Sequence, residues 1–388
     1  MDPRTHGRTR RVLARAAAAS VLALMPITAV AVPALAAPIV LEPAAPIDQI
    51  DPAHGRHGHG HGHGRHGHDG WNHGRHNDWN RGRHDDWFRG VVLVCFRRAR
   101  GLRPPGPGPK PPERPTSQPA SCPDVQLMSV PGTWESNSFD DPHNPIANPV
   151  SLMLNVSGPV AQRFPSERVE VYTVPYVAQF SNPIAIPPDG QQSYNNSRSE
   201  GMRRMIDVMA ARHQECPLTT YVLAGFSQGA VIAGDVAAQI GAGNGPVPAD
   251  LVLGVALIAD GRRTGETGPG QAIPIGTPPP GVGAEVALKG LNVPGITMTG
   301  PRQGGFGELA DRTYTICAPG DLICDAPREA LSPWNIMGSV NALVRAAGNP
   351  VHALYNGYVV DGDGTTATQW TAAWAQGLVE AAPHPAHS

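Results

Sequence analysis

Tyr221-Val222-Leu223-Ala224-Gly225-Phe226-Ser227-Gln228-Gly229-Ala230-Val231-Ile232-Ala233-Gly234 is the stretch on which the reading of this chain turns. An apolar, strand-like run enters a G-x-S-x-G pentad, and a run of small and apolar residues leaves it. The pentad is the only G-x-S-x-G in the 388 residues. A serine held on a sharp strand-to-helix turn needs glycines on both sides, because side chains there collide with neighbouring backbone. The helix that starts behind the serine adds a positive dipole end, which favours developing negative charge. Strand, turn and helix thus point to Ser227 as a nucleophile.

Working outward, strands alternate with helices. Val125–Val130, Val169–Val174, Thr219–Ala224, Leu251–Ala259 and Thr313–Ile316 read as strands. The long apolar run of Leu251–Ala259 suits a strand buried on both faces. Helical spacing of Met202, Met205, Ile206 and Met209 predicts a helix over Ser199–His213, and further helices are expected over Ala230–Ile240 and Thr366–Glu380. This alternation implies an α/β fold, of α/β-hydrolase type, with a central, mostly parallel sheet flanked by helices. Residues 261–311, rich in Gly and Pro, read as a long and partly irregular insertion.

A serine hydroxyl needs a base, and the base needs an orienting carboxylate. In this fold class the chain order is Ser, acid, His. After Ser227 the histidines are His352, His384 and His387. The last two sit in a proline-containing tail expected to have no fixed position, which leaves His352 as the base. The acid must come from Asp235, Asp250, Asp260, Glu266, Glu285, Glu308, Asp311, Asp321, Asp325 or Glu329. Asp321 stands out, because it follows a predicted strand and lies between Cys317 and Cys324. Asp325 is its nearest rival.

Residues 122 to about 380 resemble the cutinase family, and most closely the cutinase-like proteins of mycobacteria and related actinobacteria. The resemblance rests on Cys122-Pro123-Asp124, Pro131-Gly132-Thr133-Trp134-Glu135, the Gly-Phe-Ser-Gln-Gly pentad, the Cys-x-x-Gly-Asp-x-x-Cys loop and His352. It implies disulfides Cys122–Cys216 and Cys317–Cys324 and a triad of Ser227, Asp321 and His352. It also implies an oxyanion hole from the Gln228 backbone N–H and a group of Thr133. Thr133 follows the first strand at a Pro-Gly turn, where such a loop belongs. The longer bridge would contribute about 4 to 5 kcal/mol in the chain-entropy model. The implied activity is hydrolysis of medium- and long-chain acyl esters, with phospholipase A or thioesterase activity within its range. Two readings compete: a short-chain or acetylxylan-type esterase, and an envelope adhesion or metal-binding protein on a hydrolase fold. Neither metal nor cofactor is required by the triad chemistry.

The first third of the chain has a different character. Arg4, Arg8, Arg10, Arg11 and Arg15 precede an uncharged run from Ala16 to Leu41, with an A-x-A signature at Ala34-Leu35-Ala36. Residues 1–36 therefore read as an export signal, and the protein as secreted or held in the cell envelope; an uncleaved signal would anchor it in the membrane. In an exported chain the five cysteines are expected to pair, leaving Cys95 over. Ten of the 16 histidines fall between His54 and His84, inside a Gly/His/Arg tract with tryptophans at 71, 79 and 87. Residues 37–120 are expected to be a disordered tract and proline-rich linker. Residues 53–100 are a candidate for cell-wall or membrane-surface association. The hydrolase domain is expected over 121–382, with 383–388 as a tail. A net charge of −2 gives no case for nucleic acid. The remaining partner is the ester substrate, a lipid or another ester.

Overall fold

Six strands pair edge to edge, and every neighbouring pair is parallel. Across the sheet the order is Val169–Thr173, Val125–Val130, Thr220–Phe226, Val252–Ile258, Thr313–Ile316 and Ile273–Pro274. The computed structural model describes residues 113–183, 185–328, 337–339, 341, 346 and 349–388. The export signal, the Gly/His/Arg tract, Cys95 and Glu329 lie outside the described residues.

Parallel pairing needs crossovers, and crossovers put helices on both faces. Successive strand residues then alternate between two apolar layers. Val125, Leu127, Val222 and Ala224 face the helices Leu154–Arg163 and Ala367–Ala381. Met128, Val130, Tyr221, Leu223, Val255 and Leu257 face the helices Tyr194–Glu215 and Gln228–Gly241. Since all strands run the same way, their carboxyl ends share one edge, where ligand sites of open α/β sheets form. Val130, Phe226 and Ile316 end there, and the loops that follow carry Thr133, Ser227 and Asp321.

The expected strands agree with those seen to within about two residues at each end. Two helices differ. The helix expected over Ser199–His213 begins at Tyr194, where the Ser193 hydroxyl accepts from the Asn196 N–H at 3.3 Å. The helix Leu154–Arg163 was not expected at all. Its Gly158 and Pro159 argue against a helix locally, but Val156 and Val160 are buried against the sheet, and tertiary packing overrides propensity.

Segment 261–311 is anchored to the domain. Ile273–Pro274 forms the last edge strand, a position that tolerates proline. Ala284–Ala287 is a short helix, and Asn292–Val293 pairs with Ile296–Thr297 as a hairpin. Arg302 donates to Asp235 and Asp260, and Arg262 to Asp235. Leu288, Leu291, Ile296 and Met298 form a small core with Tyr194.

Beyond the expected bounds of 121–382, Ala386–His387 pairs in parallel with Ser117–Gln118. The cause is the buried Asp124, 6% exposed. A buried carboxylate needs partners. Arg168 donates to it at 2.6 Å, and His384 and His387 sit 3.0 and 2.9 Å from its oxygens. His384 and His387 therefore have fixed positions. Both expected disulfides are present: Cys122–Cys216 ties the first strand's approach to the end of the long helix, and Cys317–Cys324 closes the loop after Thr313–Ile316.

Candidate active site

Ser227 joins the strand Thr220–Phe226 to the helix Gln228–Gly241 with φ 55° and ψ −120°. This conformation is strained for a residue with a Cβ, and the surrounding backbone holds it. Its N–H donates to the Ile258 carbonyl at 2.9 Å. The flanking glycines are dictated by crowding. A Cβ on Gly229 would stand 2.1 Å from the Val130 carbonyl oxygen, and one on Gly225 would stand 2.4 Å from the Gly229 carbonyl oxygen. Helix and first strand approach each other too closely for any side chain there.

His352 belongs to the short helix Pro350–Ala353, capped by the Asn349 side chain. Its Nε2 lies 2.8 Å from Ser227 Oγ, and its Nδ1 lies 2.9 Å from Asp321 Oδ2. A carboxylate only accepts, so Nδ1 carries the proton and Nε2 is left to accept from the serine hydroxyl. The three side chains are buried, with Asp321 fully so. Phe226 stacks on the imidazole at 5.0 Å between ring centroids.

Asp321 is held by more than the histidine. Its Oδ1 accepts from the Ile323 N–H at 3.0 Å, and its Oδ2 accepts from the Tyr355 hydroxyl at 2.7 Å. The same hydroxyl accepts from the Ala318 N–H at 3.0 Å. Burial and the neighbouring Asp321 charge push the Tyr355 phenol well above its usual range, so it stays a donor. The rival Asp325 does other work: its two oxygens accept from Gly281 N–H and Gly320 N–H, each at 2.8 Å. Asp235 and Asp260 are taken up by arginines, and Glu285 by Tyr194 and Arg198.

Thr133 sits beside Ser227, lining both clefts that meet there. The backbone N–H groups of Thr133 and Gln228 have no acceptor among the described residues. The Gln228 side chain is occupied elsewhere, accepting from Ser197 Oγ at 3.0 Å. The Thr133 loop is braced from several directions. Tyr176 donates its hydroxyl to Pro131 O at 2.7 Å, and Trp134 N–H donates to Ala178 O. Glu135 accepts from the Gly132 N–H at 2.9 Å and from the Leu152 N–H at 2.6 Å. Burial pushes the Glu135 carboxyl above its ordinary range, against the pull of those two N–H groups.

On one side of Ser227 is a cleft of about 460 Å³ walled by Phe180, Val231, Met298 and Ile323. On the other is a wider one of about 900 Å³, bounded by Trp134, Val150, Asn155 and His352. The arrangement offers a general base against a hydroxyl, paired backbone donors and room for two substituents on a carbonyl carbon.

All five residues singled out in the sequence meet at this edge of the sheet. Tyr355 and Tyr176 were not singled out. Tyr355 lies beyond the end of the helix Pro350–Ala353, and nothing in its spacing from Asp321 signals contact. No group of three His, Cys, Asp or Glu side chains among the described residues could hold a metal ion.

The cutinase family model matches residues 121–335. A protein of Corynebacterium glutamicum named Carboxylesterase Culp6 homolog is 50% identical over 272 residues, covering 69% of this chain and 84% of that protein. Among solved structures, the catalytic core domain of acetyl xylan esterase from Trichoderma reesei is 18% identical, with a TM-score of 0.42, over 68% of this chain and all of that one. A cutinase-like protein from Cryptococcus sp. is 20% identical, with a TM-score of 0.35, over 61% of this chain and 98% of its own.

Proposed function

The chain belongs to the cutinase family and is a carboxylic ester hydrolase, and from that premise we propose that it works through Ser227, His352 and Asp321. The observation that carries this reading is the hydrogen-bonded line from Ser227 Oγ through the His352 ring to Asp321 Oδ2, at 2.8 and 2.9 Å. His352 Nε2 takes the hydroxyl proton as Oγ attacks the ester carbonyl carbon. The Thr133 and Gln228 N–H groups donate to the oxyanion of the tetrahedral intermediate; one such donor is typically worth roughly 3 to 4 kcal/mol. Protonated His352 then gives its proton to the leaving alcohol oxygen, and the acyl group stays on Oγ. Water attacks by the same route in reverse roles and releases the acid. Asp321 keeps the proton on Nδ1 and stabilises the imidazolium.

The apolar walls of the narrower cleft support an acyl chain as its occupant, and so esters of medium or long acyl acids. Two disulfides and the arginine-led apolar N-terminus support action outside the cell. Labelling by a fluorophosphonate tests the assignment directly. Ser227→Ala should abolish labelling and lower kcat by about six orders of magnitude. Label retained in that variant would refute it. A series of nitrophenyl esters from acetate to palmitate tests the chain length, with an optimum at acetate overturning that part alone.

A further inference from the structure

We infer that the 261–311 segment carries a second ligand site, apart from Ser227, that binds a carboxylate attached to a short apolar body. A cleft of about 740 Å³ opens there and shares no lining residue with the two clefts at Ser227. Among the polar residues that line it is Arg263, only 8% exposed. The guanidinium donates through Nε to Cys324 O at 2.9 Å, and through one amino group to Pro279 O and Gly281 O at 2.9 and 2.7 Å. The other amino group has no partner among the described residues.

The contrast with the other shielded arginines is the argument. Arg168, Arg198, Arg262 and Arg302 each meet a carboxylate oxygen within 3 Å. Arg263 meets carbonyl oxygens only. Carbonyl dipoles offset part of a buried charge, whereas a full counter-ion offsets far more. Burial accordingly holds the Arg263 pKa below its ordinary value, despite Asp325 and Asp260 nearby. Those two carboxylates are committed, Asp260 to Arg302 and Asp325 to the N–H groups of Gly281 and Gly320. Glu266 also lines the cleft, at an exposed position where water screens it.

Gln271 adds a second donor on the same cleft. Its Oε1 accepts from the Thr264 hydroxyl at 2.9 Å, which leaves its amide hydrogens for an incoming acceptor. Arg263 and Gln271 both have donors to spare, and Thr315 on the same wall carries a buried hydroxyl without a hydrogen-bond partner among the described residues; a ligand that accepts from such donors is an anion. Pro278, Pro279, Pro280 and Phe306 supply its apolar wall. A charged head with an apolar body fits both parts of the cleft, and a free carboxylate is also the chemical class that ester hydrolysis releases.

Titration of octanoate into the full chain, followed by calorimetry and by thermal unfolding, tests the site, with octan-1-ol as the uncharged control. Octanoate should bind saturably and raise Tm, and octan-1-ol should not. Gln271→Glu sets a negative charge on the cleft while keeping the acceptor for Thr264, and should weaken octanoate at least about tenfold with turnover of a soluble ester unchanged. No octanoate binding to the parent chain, equal binding of octan-1-ol, or undiminished binding to Gln271→Glu would each overturn the proposal. The last outcome would place octanoate in the Ser227 clefts.

Discussion

Tyr355 is the residue whose role depends most on geometry. Its hydroxyl donates a hydrogen bond to the same Asp321 oxygen that faces His352. That donation holds the carboxylate in place against the imidazole. Tyr355→Phe removes one hydrogen bond to a charged group, worth about 1.5 to 3 kcal/mol, and orphans the Ala318 N–H. We expect kcat/KM to fall roughly tenfold. Steady-state kinetics checks this; an unchanged kcat/KM would reduce Tyr355 to a packing residue. Ser227, His352 and Asp321 differ from it in being readable from the chain alone. The pentad, the Ser–acid–His order and the elimination of alternatives name two of them, and the cysteines around Asp321 favour the third. Glu135 lies between these cases: it stood in a quoted motif, yet its two N–H partners, Gly132 and Leu152, are visible only in the fold.

At the scale of elements, the two disulfides should separate stability from activity. The Cys317–Cys324 loop is short, so its bridge contributes only about 2 to 3 kcal/mol in the chain-entropy model, against about 4 to 5 for Cys122–Cys216. It nonetheless carries Asp321, with Ile323 and Ala318 in the acid's own network. Replacing both Cys317 and Cys324 by Ser should therefore lower kcat more than Tm, and replacing Cys122 and Cys216 should do the reverse. Kinetics and thermal scans of the two double variants decide this. The docked tail gives a pH-dependent prediction. The hydrogen bond with Asp124 raises the His387 pKa above its ordinary value near 6.5. The folded state thus holds this proton more firmly than the unfolded chain does. The contribution is full below the ordinary value and fades as pH rises through the raised one. Deleting residues 383–388 should lower Tm at pH 6 by more than at pH 9, and an equal loss at both would disconnect the imidazole from the clasp. The missed helix Leu154–Arg163 belongs to this scale too: Gly158 and Pro159 spoke against it, and burial of Val156 and Val160 outweighed them.

For the whole molecule, Ser117–Gln118 and Ala386–His387 clasp the two ends of the described domain together. Removing residues 37–112 should leave kcat/KM on a soluble ester unchanged, while extending the deletion through 119 should lower Tm, because that removes a paired strand. Steady-state kinetics and unfolding of the two truncations test this boundary. A loss of turnover in the shorter deletion would give the Gly/His/Arg tract a part in catalysis. The sequence by itself determined the class of fold and singled out the candidate residues for the chemistry. Strand runs, helix periods, the pentad and the cysteine-framed aspartate are local patterns, and local patterns obey rules of spacing. Only the tertiary structure set Asp321, and not Asp325, against His352, brought in Tyr355, fixed the tail on Asp124 and anchored residues 261–311 through Arg262 and Arg302. Each of these is a contact across tens to hundreds of residues, made because a buried charge or polar group had to find a partner. Which partner it finds depends on how the sheet and its loops bring the chain together, and sequence spacing does not encode that.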